Sequence, residues 1–297
     1  QLPSANAFAA LRRASLGKAE RQPFVGFGDT LFTDDASSGG RRGVVRDLFI
    51  RKVADRTEER LQEMMRGSRP TPQAAAPIVP TLSHAFARLS SLPDTSDELR
   101  EIAAALKGDP AGDVFVNHRA TEKNVKQAGL ENRRVVAFAT HGIAPGEVTG
   151  LDQPALVLSN PALTGDSDND GFLTMEEVLG LKLDADWVVL SACNTAAADG
   201  RASEAVSGLG RAFFYAGARS LLVSNWAVET TSARLLTTEL FKRQSENPAL
   251  TRAEALRQSM LALMDRNAVD ATTGRSTFSY AHPVFWAPFS VVGDGGR

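Results

Sequence analysis

A chain of 297 residues, with 43% hydrophobic and 23% charged side chains, has enough apolar surface for one large core or two modest ones, which excludes disorder as a description of the whole. Its 33 basic and 35 acidic residues are well mixed and leave a formal charge of −2, so no basic face favours nucleic acid or an anionic membrane. A single cysteine, Cys193, rules out an intrachain disulfide and a cysteine-built zinc site.

No apolar run approaches the roughly 20 residues that cross a bilayer, and no signal-peptide order opens the chain. A cytoplasmic location is expected, with no nucleic-acid or membrane partner. The first residue is Gln1 rather than Met, which reads as a piece of a longer or processed polypeptide.

In chain order, "FVGFG" (24–28) is the first short β-type run. Residues 41–92 read as a peripheral insertion, because a charged helical stretch over 44–65 gives way to "RPTPQAAAPIVP". A helix is expected over 94–106, opened by Pro93 and by acids in its first turn. Then come the β-type runs "DVFV" (113–116), "RVVAFAT" (134–140), "ALVLS" (155–159), "DWVVLSA" (186–192) and "RSLLVSN" (219–225). Helical spacing of apolar residues appears over 121–128, 174–181, 204–216, 230–243 and 251–264. The segment "HPVFWAPFSVVG" (282–293) is expected to close the sheet, with Trp286 and Phe289 in the core. No period of 20–50 residues indicates a repeat array. Alternation of this kind implies one α/β domain over 1–297, with a mainly parallel central sheet and helices on both faces.

In such a sheet chemistry gathers at the carboxyl ends of the strands. His141 directly follows "RVVAFAT" and Cys193 directly follows "DWVVLSA". A thiol becomes a useful nucleophile when an adjacent imidazole takes its proton, and strand ends hold both groups rigidly. The amides of Gly142 and Cys193 are suited to receive the developing oxyanion, and Gly142 lets a substrate approach closely. A lone cysteine after an apolar strand is most often inert, and a lone histidine is usually a satisfied polar group. The two lie 52 residues apart, however, close to the roughly 50-residue spacing of caspase-type cysteine proteases.

Longer stretches carry a further likeness. "VVAFATHG" (135–142), "PALVLS" (154–159), "DGFLTMEEV" (170–178), "DADWVVLSACNTA" (184–196), "GLGRAFFYAGARSLLVSNWAVE" (208–229) and "HPVFWAPFSVVG" resemble, in the same order, the CHAT domain (caspase-like, associated with TPR repeats). The resemblance implies a caspase-like three-layer α/β sandwich, a His141/Cys193 dyad and hydrolysis of a protein substrate by limited cleavage in bacterial defence or signalling. It also implies that TPR repeats or a sensor protein precede this domain. Some relatives place an acid for a basic P1 side chain two residues before the cysteine; here that position is Ser191. Separase-like relatives instead place an acid shortly after the Trp that follows the next strand, which suggests Glu229 and Trp226 as walls of the substrate pocket. Glu229 reads equally well as an acid capping the helix that begins near Thr230.

"GDSDNDGFLTMEEV" (165–178) puts Asp166, Asp168, Asp170, Gly171 and Glu177 at the offsets of a calcium-binding EF-hand loop. The segment before it contains Pro154 and Pro161 and reads as a strand and a turn, so the entering helix is missing. A solvated acidic turn is expected, with calcium as an alternative ligand and no cofactor required by the chemistry. His84, His118 and His282 lack acidic or cysteine partners in sequence and read as structural. Two other functions compete with the peptidase: a catalytically silent caspase-like interaction module, and a calcium-binding regulatory domain.

Overall fold

The computed structural model describes residues 21–33, 85–191, 201–225, 228–270 and 272–296, without the side chains of 201–207. Its centre is a six-stranded sheet in the order β11-β8-β7-β3-β1-β2. These strands are β1 (Gln22–Gly28), β2 (Val114–Val116), β3 (Arg133–Ala139), β7 (Trp187–Leu190), β8 (Ser220–Ser224) and β11 (Phe289–Gly293). All neighbours run parallel except β11, which closes the sheet antiparallel to β8, with Phe289 opposite Ser224.

Side chains alternate across this sheet, as strand geometry requires, and each face acquires its own layer of helices. Phe24, Val135, Trp187 and Val189 meet α1 (Asp94–Ala105), α6 (Thr230–Glu246) and α7 (Arg252–Met264) through Leu99, Ile102, Leu236, Leu240, Phe241 and Leu256. Phe27, Val136, Phe138, Val188 and Leu190 point the other way, towards α2 (Glu122–Gln127), α4 (Met175–Gly180) and α5 (Arg201–Ala216). Phe138 and Phe213 meet at 5.5 Å between ring centroids. Side chains this fully buried contribute roughly 1.5–3 kcal/mol each. The three layers expected from the sequence are therefore present.

Glycine sets how closely α1 approaches. Gly26 and Gly28 lie on the same face as Phe24, and a Cβ on either would come within 2.7 or 2.9 Å of Leu99. Their absent side chains let α1 lie against β1. At the amino ends of the strands Asp186 receives Arg21, Arg134 and Arg219 at 3.0, 3.1 and 2.9 Å, an ion-pair cluster on the edge away from the carboxyl rim.

A second, three-stranded antiparallel sheet in the order β4-β5-β6 sits beside the carboxyl rim: β4 (Gly142–Ile143), β5 (Ala155–Val157) and β6 (Phe172–Thr174). The run 155–159 thus belongs to this sheet and not to the parallel one. A one-turn helix α3 (Pro161–Thr164) lies between β5 and β6, and a hairpin of β9 (Asn267–Val269) and β10 (Ser276–Ser279) completes the elements. Of the stretch 41–92, residues 85–92 are described, and they reach inward: Ala85 and Phe86 are buried, and Phe86 meets Phe172 at 4.9 Å in a third core with Phe32, Ile143 and Val157.

Candidate active site

The carboxyl ends of β1, β3 and β7 form one rim, because these strands are parallel and β3 pairs with both of the others. Just past β3, the Thr140 hydroxyl donates to the Val157 carbonyl and lies 3.2 Å from the Thr30 hydroxyl, so the chain is held as it leaves the sheet. His141 follows, 4% exposed, its ring tilted against Phe32 at 5.5 Å. Its Nε2 lies 2.8 Å from the Ser90 carbonyl oxygen. A carbonyl only accepts, so Nε2 carries the hydrogen and Nδ1 keeps the lone pair. Burial pulls the imidazole pKa below its ordinary value, against a smaller upward pull from Ser90. The ring is a neutral base at pH 7.

Gly142 begins β4. The Val157 amide donates to the His141 carbonyl at 2.8 Å, which makes the next pair, Gly142 and Leu156, a non-hydrogen-bonded pair of the antiparallel ladder. The Gly142 N–H therefore faces away from β5.

On the neighbouring strand, the Ser191 amide continues the β7 ladder by donating to the Phe138 carbonyl at 3.1 Å. The Ser191 hydroxyl is turned inward and donates to Glu98 Oε1 at 2.7 Å. Glu98, on α1, also receives the Thr237 hydroxyl of α6 at 3.0 Å. Cys193 and Trp226 lie outside the described residues, as does His84. Glu229 occupies the N-cap of α6, where its two carboxylate oxygens accept from the amides of Thr231 and Ser232 at 3.1 and 2.7 Å. The capping alternative thus has direct geometric support. Ser90 and Glu98 were missed in the sequence. Glu98 did leave a signal, a lone acid on the helix face that carries Thr95, Leu99 and Ile102.

The CHAT domain family profile matches residues 1–294. The chain belongs to the CHAT domain family. A search of curated proteins finds no match. Among solved structures the chain is similar to the Arg-specific cysteine proteinase gingipain R, with 14% identity and a TM-score of 0.40. The match covers 67% of this chain and 41% of that one.

Asp29, at the end of β1, has a pKa raised to about 6 by burial, in spite of a hydrogen bond from Asn117. Its amide donates to the Thr95 hydroxyl at 2.8 Å, which ties β1 to the first turn of α1.

The acidic loop of the CHAT domain is built from turns and caps. Asp170 accepts from the Phe172 amide at 2.8 Å, and Gly171 takes φ +85°. Glu177 forms a capping box with Thr174 at the start of α4. Its other oxygen takes Lys126 at 2.9 Å, and the same ammonium bonds Glu122 at 2.6 Å and Asn169 at 2.9 Å. Burial raises Glu122 to about 7, helped by Glu177 and opposed by Lys126. Burial also opposes ionisation of Glu177, but bonds with Glu122, Thr174 and Lys126 prevail and bring it down to about 2. Among the described residues no three His, Cys, Asp or Glu side chains converge as metal ligands. His118 is exposed, and His282 caps a short turn through a bond from the Val284 amide to Nδ1.

Proposed function

We propose that this CHAT domain is a cysteine endopeptidase making limited cuts in a partner protein, in bacterial defence or signalling and in the cytoplasm, under the control of TPR repeats or a sensor upstream. The observation that carries this reading is His141: its Nε2 is committed to Ser90, and Nδ1, at the end of the strand paired with β7, has no partner among the described residues. In the sequence Cys193 follows Ser191, the residue just after β7, by two positions.

In this mechanism Nδ1 of His141 takes the thiol proton, and the Cys193 thiolate attacks the scissile carbonyl. The amides of Gly142 and Cys193 hold the oxyanion. As the tetrahedral intermediate collapses, the C–N bond breaks and His141 returns its proton to the leaving amine. Water, deprotonated by His141, then attacks the thioester and frees the new carboxylate and the thiol. None of these steps calls for a metal or an organic cofactor.

The test is covalent labelling with electrophilic peptides carrying Arg, Leu or Asp at P1. Wild type is expected to be labelled at Cys193, Cys193→Ala not at all, and His141→Ala at least about tenfold more slowly. A folded wild type that takes up none of these peptides would instead be an interaction module.

A further inference from the structure

Glu98 is an expensive residue to bury. Its carboxyl is 2% exposed between α1 and α6, and among the described residues no cation pairs with it. The charged groups that act on it from a distance are Arg234 and Glu101, and Arg234 is itself engaged by Asp97 at 3.7 Å and Glu101 at 3.6 Å. Burial pushes the Glu98 pKa above the usual glutamate range, against the hydrogen bonds of Ser191 and Thr237. A glutamine or an apolar side chain would fill the same space without the desolvation cost of a carboxylate. What a carboxyl adds when it ionises is bond strength, since hydrogen bonds to an ionised acceptor are roughly twice as strong as neutral ones.

One of those bonds goes to Ser191, the residue that leads from β7 towards Cys193. The same short stretch of chain holds the other arm of the dyad, because the Ser90 carbonyl, four residues before α1, takes His141. Between them Thr95 ties down the end of β1. Residues 90–98 therefore grip three successive positions of the rim from one piece of backbone. Reacting groups displaced by about 1 Å can lose about a hundredfold in rate, so strong tethers at this point have a chemical use.

We infer that Glu98 is a positioning residue of the proposed site: by holding Ser191 from the helix whose entry holds His141, it fixes the end of β7 relative to the imidazole. This rests on the peptidase reading above. The buried carboxyl then trades stability for geometry at the site.

Because the chain has one thiol, alkylation by iodoacetamide reads Cys193 alone, and intact mass against time gives its rate at each pH. Wild type is expected to react at pH 6.5 well above a free thiol of pKa about 8.5, and His141→Ala to fall back to that ordinary profile. Glu98→Leu removes the acceptor and is expected to lose about tenfold or more at pH 6.5, its profile moving towards the free thiol. Glu98→Gln keeps an acceptor without the charge, and is expected to lose only about two- to fivefold while its melting temperature rises. Ser191→Ala leaves the α1–α6 interface intact, should follow Glu98→Leu, and decides the matter if Glu98→Leu does not fold. Folded Glu98→Leu and Ser191→Ala with the wild-type profile would overturn the inference, as would reactivity and stability of Glu98→Gln falling in step. Coincident profiles for wild type and His141→Ala would sink the peptidase reading itself, and this inference with it.

Discussion

Ser90 and His141 are joined by a 2.8 Å hydrogen bond across 51 positions of sequence, and this contact decides which imidazole nitrogen is basic. The ring is also buried, and the consequences can be measured.

Folding lowers the His141 pKa below 6.5. Just below pH 6.5 the unfolded chain then binds more protons than the folded one, so stability rises with pH through this window and is lost as pH falls through it. His141→Ala is expected to melt at a temperature less sensitive to acid below pH 6.5 than wild type. Thermal scans from pH 5 to 7 check this, and parallel curves for the two proteins would contradict it.

Glu229 offers both carboxylate oxygens to the first turn of α6. Glu229→Ala is expected to cost about 1 kcal/mol, the usual loss of an N-cap, seen as a lower urea midpoint. With the carboxylate committed to amides, relative cleavage of Arg, Lys and Leu reporters should not change. A specific loss of the Arg and Lys reporters would return Glu229 to the wall of the substrate pocket.

Lys126 stands between Glu122 and Glu177. Lys126→Met removes the cation shared by Glu122 and Glu177, and is expected to destabilise by about 1–2 kcal/mol at pH 7, less than a fully buried pair because the lysine is 37% exposed. Glu122 titrates near 7 already and rises further without its cation, so it takes up a proton on acidification. The stability difference should therefore shrink at pH 5. A deficit that grows with acid would contradict the pairing.

The same geometry bears on the acidic loop. With Glu177 bound to its helix cap and to Lys126, isothermal titration is expected to show calcium uptake no tighter than about 1 mM. Tighter uptake that disappears in Asp168→Ala would make the loop a metal site.

The parallel strands were legible because each is a compact run of apolar, often β-branched residues, and the helices between them because their apolar residues recur at three and four. The run 155–159 looked the same as those strands, yet pairs in the second sheet: local pattern reports that a strand is buried, and says nothing of which strand lies beside it. The strands β4 and β6, two and three residues long, carry too few side chains to show a period. Residues 85–92 follow a proline- and alanine-rich stretch and read as periphery, but Phe86 finds Phe172 in a core that neither could announce alone.

Chain order by itself determined the alternation of strands and helices, and the placing of His141 and Cys193 after two apolar runs, since these depend on neighbouring residues and on the hydrophobic effect acting along a few turns. Tertiary structure alone decided that β3 and β7 are neighbours, that Ser90 occupies Nε2, and that Glu98 reaches Ser191 across 93 positions. Those contacts exist only once distant segments have paid their closure entropy and packed, and no local pattern encodes them.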